Sequence, residues 1–281
     1  MTARDLTIDL PHLSIAAREW GPNDGPPVLA LHGWLDNSAS FDRLAPVLPA
    51  LHLVALDLAG HGRSQHRHPS VAFHFIDWAP EVLAIADSLG WDRFSLIGHS
   101  MGAGISTLVA GTFSDRIQRL VLLEGAGPLA ADASRAPKQL ASAVEDESRA
   151  GKASPRVFPD LDAAVAARMR DSDLDRDAAR ILVERGTEEF ENGIRFTHDP
   201  RLRTRSRTRL TENQVLAFLA SITCPVLAVR ALQGWPFPEE VVAARIATIQ
   251  NVETVEIEGG HHVHLTHPDR VAPIIDEFMS S

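Results

Sequence analysis

The chain has 281 residues, 44% of them hydrophobic and 23% charged, with a formal net charge of -10. Those proportions describe a globular protein large enough for one sizeable core, and the negative charge disfavours nucleic acid and anionic membranes as partners. No apolar run approaches the roughly 18 residues that span a bilayer, and residues 1–10 mix Arg4, Asp5 and Asp9 with isolated apolar side chains, so a cytoplasmic protein without a signal peptide is expected.

Short apolar runs alternate with helical patterns through the first 125 residues, which predicts a mostly parallel sheet wound with crossover helices. Residues 28–31, 53–56, 94–97 and 120–123 are the expected strands, each brief and apolar as strands buried on both faces should be. Residues 75–89 and 101–113 carry helical spacing, the second built from small side chains that allow close packing on a sheet. Between about Pro128 and Ser221 no strong strand is visible, and the segment reads as amphipathic helices, clearest at 160–170 and 175–190, each begun by an Asp. A cluster of arginines near its end, Arg201, Arg203, Arg205, Arg207 and Arg209, has no interleaved aromatic residues and is expected on a solvated surface. The lone Cys224 precedes a further apolar run and reads as a buried structural thiol. Sheet signals resume with strands at 225–229 and 252–257 and helices at 238–249 and 268–279. The expected organisation is an α/β core from 1–127 and 222–281 with 128–221 as an inserted helical unit.

One motif carries chemistry. Gly98-His99-Ser100-Met101-Gly102 fits G-x-S-x-G, follows an expected strand and precedes an expected helix. Such a turn holds the serine in a strained conformation that only flanking glycines allow, and Ser100 is then a candidate nucleophile. The backbone N–H of Met101, at the helix N-terminus, would face a developing oxyanion. His99 points elsewhere in such a turn and reads as structural.

With His32-Gly33-Trp34 after the first buried strand, Asp57-Leu58-Ala59-Gly60-His61-Gly62-Arg63-Ser64 after the next, and Gly260-His261 near the end, the chain resembles the α/β-hydrolase superfamily along nearly its whole length. His32-Gly33-Trp34-Leu35-Asp36-Asn37, Glu124-Gly125-Ala126-Gly127-Pro128 and His261-His262-Val263-His264 resemble its serine hydrolase-like branch. The resemblance implies a helical cap after the sixth strand, a second oxyanion donor at the backbone N–H of Trp34, and a structural role for His32. It places Asp57 to Ser64 near the chemistry without being part of it.

A serine hydroxyl needs an imidazole to take its proton. The order Ser…acid…His expected for this fold places it late, and His261 is the expected base. His262 is the alternative if the register is off by one, while His264 resembles a family position packed beside the site. Three histidines within four residues also admit a metal reading, disfavoured because no Cys, Asp or Glu stands at ligand spacing nearby in sequence. The third member is where the pattern breaks. Most of the superfamily has an Asp after the strand at 225–229, but here the chain reads Arg230-Ala231-Leu232-Gln233-Gly234-Trp235. Some relatives, such as certain haloalkane dehalogenases, carry the acid one strand earlier, which corresponds to Glu124. Glu239 or Glu240 are alternatives, as are a Ser-His dyad and an inactive site.

The expected activity is hydrolysis of a small or medium carboxylic ester or thioester through an acyl-enzyme, with no cofactor and no metal; lactone or carbon–carbon hydrolysis would use the same residues. A binding protein on a silenced hydrolase scaffold is the competing expectation, motivated by the missing acid. Trp34, Trp78, Trp235 and Phe237 are candidates for an apolar pocket, each with core packing as the alternative.

Overall fold

The computed structural model describes residues 2–150, 154–170 and 172–281. Leu6, Ile8 and Leu10, then Leu13, Ile15 and Ala17, alternate with polar residues and form an antiparallel hairpin, β1 (Arg4–Leu10) and β2 (Leu13–Trp20). Neither strand is among those expected from the sequence, because the charges on the exposed face dilute a short period-two signal. The apolar runs give β3 (Pro27–Leu31), β4 (His52–Leu56), β5 (Phe94–His99) and β6 (Ile117–Leu123), with α1 (Trp78–Ser88) and α2 (Met101–Thr112) as crossovers. A single 3-10 turn, Phe75–Asp77, replaces the first turn expected for α1.

After β6 come α3 (Ala136–Ala150), α4 (Leu161–Met169), α5 (Arg176–Arg185), a two-stranded hairpin β7 (Thr187–Phe190) and β8 (Gly193–Phe196), and α6 (Glu212–Ala220). The chain then returns to the sheet with β9 (Val226–Gln233), α7 (Glu239–Thr248), β10 (Val252–Gly260), a short α8 (Val263–Thr266) and α9 (Pro268–Ser280). The strand order is β1-β2-β4-β3-β5-β6-β9-β10, with the last six parallel and only β1 and β2 antiparallel to their neighbours.

Alternate side chains of the buried strands feed two apolar layers. Leu29, Leu31, Leu96, Leu120 and Leu122 pack with Val82, Ile105 and Leu108 of α1 and α2, and with Val215 and Leu219 of α6. On the opposite face Val28, Ala30, Ile97, Val121 and Leu227 meet Phe41, Val271, Ile275 and Phe278. Each such side chain contributes about 1.5–3 kcal/mol by leaving water, so the central strands, buried along their length, set the frame on which the site is mounted.

Within 128–221, of which 151–153 and 171 lie outside the described residues, α4 and α5 start where the Asp residues predict. Asp160 accepts the Ala163 N–H at 2.8 Å and Asp175 the Ala178 N–H at 2.7 Å. The two helices share a small core of Val165, Ala178, Leu182 and Val183, which also takes in Leu265 of α8. The expected helix at 175–190 is corrected: it stops at Arg185, and Thr187–Phe190 pairs with Gly193–Phe196 as a hairpin. Gly186 at the helix end and the β-branched and aromatic residues of the two strands account for the switch. The arginine stretch lies on the surface as expected, with Arg203, Arg205, Arg207 and Arg209 exposed. Arg205 and Arg207, 47% and 44% exposed, pair with Asp146 and Glu147 of α3, and Arg201 binds Asp199 and the carbonyls of Arg67, His68 and Val71. The stretch is a surface strap of ion pairs. No helix among the described residues is long and apolar enough to cross a membrane.

Candidate active site

Ser100 stands between β5 and α2 with φ 52° and ψ -111°. A Cβ on Gly98 would lie 2.6 Å from the Ala103 Cα, and one on Gly102 would run into the Leu31 carbonyl, so both positions exclude any side chain. Leu35 (φ 61°) and Glu124 (φ 55°) also hold left-handed conformations. Three strained non-glycine residues at neighbouring strand ends mark this edge of the sheet as the place where backbone strain is stored.

The candidate acid and base come from strands on the same side of β5. Glu124 follows β6, and its Oε2 lies 3.2 Å from His261 Nδ1. The stretch 230–235, at the end of β9 and just beyond it, lacks a carboxylate and instead donates two backbone N–H groups to Glu124, from Ala231 and, at 3.1 Å, from Trp235. Hydrogen bonds and an imidazole partner surround the Glu124 carboxyl group, and donation from His261 Nδ1–H to it would leave Nε2 to act on a neighbouring hydroxyl. Among the described residues no hydrogen bond joins Ser100 Oγ to His261, a contact that commonly tightens only when substrate is bound. Glu239, an alternative acid, pairs instead with Arg230.

His262 has different surroundings. Its Nδ1 is 2.6 Å from Asp173 and its Nε2 is 3.3 Å from Asp36. Burial alone would lower its pKa, but the two carboxylates override this and push it up to about 9. With a carboxylate on each ring nitrogen, His262 has no free nitrogen to offer a hydroxyl. His264 is fully buried, 2.8 Å from Ser40 Oγ, with its pKa pushed down to about 3 chiefly by burial. Buried His99 uses Nε2 to reach the His261 carbonyl at 2.9 Å, and burial with three neighbouring histidines holds it neutral. His32 donates from Nδ1 to the Gly33 carbonyl at 2.7 Å and accepts the Leu58 N–H at Nε2, so it braces two loops.

The N–H of Met101 is in the first turn of α2, where no intrahelical acceptor exists, and Trp34 sits in the Gly33–Asp36 turn after β3. The Trp34 indole donates to the Leu202 carbonyl at 3.0 Å and lies under the Arg203 guanidinium. Trp34, Trp235 and Phe237 are 50%, 59% and 37% exposed, whereas Trp78 is buried against Phe73 and Phe75 and belongs to the core. Cys224 is buried, with its thiol pushed up to about 11 by burial, as a structural thiol requires. It borders a surface cleft of about 480 Å³ at the opposite, N-terminal edge of the sheet.

The sequence-based objection to a metal is corrected, because folding brings carboxylates to the histidines. Donor atoms of Asp36, His99 and His262 lie within 4.8 Å of one another. The charges there are already matched, however: Arg168 is 2.6 Å from Asp36, so two carboxylates face one guanidinium and one imidazolium. That donor set fits an ion-pair chain better than a divalent cation. Nothing in the sequence signals Arg168 or Asp173 as neighbours of this region, since the fold brings them in from a distant segment.

Residues 26–268 match the α/β hydrolase fold family. The chain is 34% identical to a probable serine hydrolase of Drosophila melanogaster over 98% of this chain and 87% of that protein. It superposes on the crystal structure of the hypothetical protein PA1622 from Pseudomonas aeruginosa PAO1 with a TM-score of 0.95 at 42% identity, covering 99% of both chains. A thioesterase domain from the curacin biosynthetic pathway superposes with a TM-score of 0.85 at 28% identity, over 98% of this chain and 99% of that one. With the sheet order, the strained serine turn and these likenesses together, the chain belongs to the α/β-hydrolase fold family, in its serine hydrolase-like branch, and is a hydrolase.

Proposed function

We propose that the chain hydrolyses a carboxylic ester or thioester of a small to medium substrate through an acyl-enzyme on Ser100. The observation that carries this reading is the Glu124–His261 pair, 3.2 Å apart, at the strand ends beside the strained serine. In the reaction His261 Nε2 takes the Ser100 proton as Oγ bonds to the substrate carbonyl carbon, and the Trp34 and Met101 N–H groups receive the oxyanion. His261 then passes the proton to the departing alcohol or thiol, and a water repeats the sequence to release the acid. Glu124 orients the imidazole and stabilises its cation without taking the proton. Residues 128–221 act as a cap over the core formed by 1–127 and 222–281, with Trp34, Trp235 and Phe237 offering apolar surface to the substrate. The silent-scaffold reading rests on the missing acid after β9, and the Glu124 carboxylate beside His261 argues against it.

The test is intact mass after exposure to a fluorophosphonate, beside Ser100→Ala. A single adduct that disappears in Ser100→Ala is expected, followed by turnover of p-nitrophenyl butyrate; a folded protein that takes no adduct overturns the reading.

A further inference from the structure

His262 is side by side with the proposed base yet takes no part in proton transfer, and its partners come from two separate parts of the chain. Asp36 belongs to the loop after β3 that also carries Trp34, while Asp173 lies between α4 and α5 of the insert. Asp173 grips His262 twice, its Oδ1 on the ring Nδ1 at 2.6 Å and its Oδ2 on the backbone N–H at 3.1 Å. Gly260 permits that approach, since a Cβ there would overlap the Asp173 carboxylate. Asp36 uses one oxygen on His262 and the other on Arg168 of α4, at 2.6 Å, and its own N–H donates to the Gly33 carbonyl across the Trp34 peptide. The result is a chain of alternating charge, Arg168–Asp36–His262–Asp173, that crosses from insert to core and back. From the elbow His99 completes the packing, 5.1 Å from the His262 ring, 4.7 Å from the His261 ring and bonded to the His261 carbonyl. His264 stacks behind at 6.4 Å.

We infer that His262 is a positioning residue, which, held between Asp36 and Asp173, sets the Trp34 loop, the His261 backbone and the insert in one register for the reaction. The inference rests on the hydrolase reading above, and it assigns the insert a part in aligning the oxyanion donor as well as in covering the site. The Trp34 loop is also held by His32 on the Gly33 carbonyl and by the Trp34 indole on the Leu202 carbonyl, and the Asp36–His262 contact adds a tie to the segment that carries His261. Misplacement of such a donor by about 1 Å can cost about a hundredfold in rate.

The discriminating variant is Asp173→Asn, which keeps the shape of the side chain and lies in the insert, away from Ser100. Turnover of p-nitrophenyl butyrate is expected to fall about tenfold to a hundredfold in kcat with little change in KM, because the aligned groups act on the transition state. The rate of fluorophosphonate capture at Ser100 falls in step. The alkaline limb of kcat/KM moves to lower pH than in the parent, since one of the two anions that keep His262 protonated is gone, with Asp36, Arg168, His99, His261 and His264 still facing it. His262→Gln reproduces the kcat loss, and Asp173→Glu restores part of it. Glu188→Gln, which breaks an exposed pair with Arg195 in the β7–β8 hairpin, leaves all of these unchanged. Hydrogen exchange in Asp173→Asn rises together in 33–41 and 260–266. If both variants only lower stability while kcat and the alkaline limb stay in place, the inference is wrong. If the parent protein itself takes no phosphonate adduct, the hydrolase reading fails instead, and exchange still decides: faster exchange confined to 160–175 shows that His262 does not join these segments.

Discussion

The sheet and the insert are held together by different forces. Around β3, β5 and β6 the layers are aliphatic and fully buried, and polar groups appear at the strand ends where Ser100, Glu124 and the His32 brace sit. In the insert, α6 packs into the main apolar layer, whereas α4 and α5 have a much smaller core and meet the rest largely through charge: Arg185 to Asp57, Arg168 to Asp36, Asp173 to His262. Hydrophobic layers respond weakly to pH and salt, whereas ion pairs at a seam respond to both in proportion to their exposure. The proposed chemistry is therefore mounted on the layers that respond least to pH, and the insert on pairs whose response to salt depends on how exposed each one is.

The sharpest break in that comparison is at the strand ends. Ser100→Ala removes the proposed nucleophile and is expected to lower kcat/KM on p-nitrophenyl butyrate by more than about a thousandfold with the denaturation midpoint nearly unchanged. Glu124→Gln follows, at about a hundredfold to ten-thousandfold. An amide cannot accept from Ala231, Trp235 and His261 together, and its NH2 would turn the imidazole to the wrong tautomer. Unchanged turnover in Glu124→Gln would remove it from the reaction.

The seam gives the next largest effect, this time on stability. Asp57 is fully buried and accepts two Arg185 bonds at 3.0 Å besides N–H groups of Ser38 and Arg63. Arg185→Met leaves that carboxylate buried against an apolar group, which costs about 3–5 kcal/mol where a buried pair is broken from one side. Urea unfolding measures it, and a loss below 1 kcal/mol would mean that water reaches Asp57 and that the insert docks by other contacts.

A smaller effect comes from pH. The folded pKa of His262 is raised to about 9, so its stabilising contribution is complete below its ordinary value near 6.5 and is lost as pH rises through about 9. Asp173 works in the other direction: burial would raise it, but His262 draws it down to about 2, so its contribution is lost only as pH falls toward 2. Urea midpoints between pH 7 and 10 should fall in the parent protein and stay flatter in His262→Gln. Equal slopes in the two proteins would place the alkaline loss elsewhere.

The same contrast explains what could be read from the sequence. The parallel strands, the serine turn and the late histidine follow from local rules: apolar runs of strand length, glycines at a sharp turn, a fixed order along the chain. Glu124 is legible because a carboxylate at the end of a buried strand has few structural uses. Helices α4 and α5 are legible from their Asp caps, but the switch to β7 at Thr187 is not, since it depends on a partner strand rather than on its own spacing. Arg168 and Asp173 are the clearest losses. Each is an ordinary charged residue in a polar segment, and its role exists only through Asp36 and His262, which lie more than a hundred and nearly ninety residues away along the chain.

The smallest effect sharpens the distinction within the insert itself. Arg207 and Glu147 meet at 2.8 Å in good geometry, yet both are partly open to solvent. Water screens the pair, and two long side chains lose freedom to hold it, so Arg207→Ala should cost below about 1 kcal/mol and lose even that in 0.5 M salt. Arg185→Met, measured beside it, should keep most of its effect at the same salt. If the two variants respond alike, exposure is not what separates the strap from the buried seam, and the insert must be treated as one cooperative unit whose ion pairs share the load.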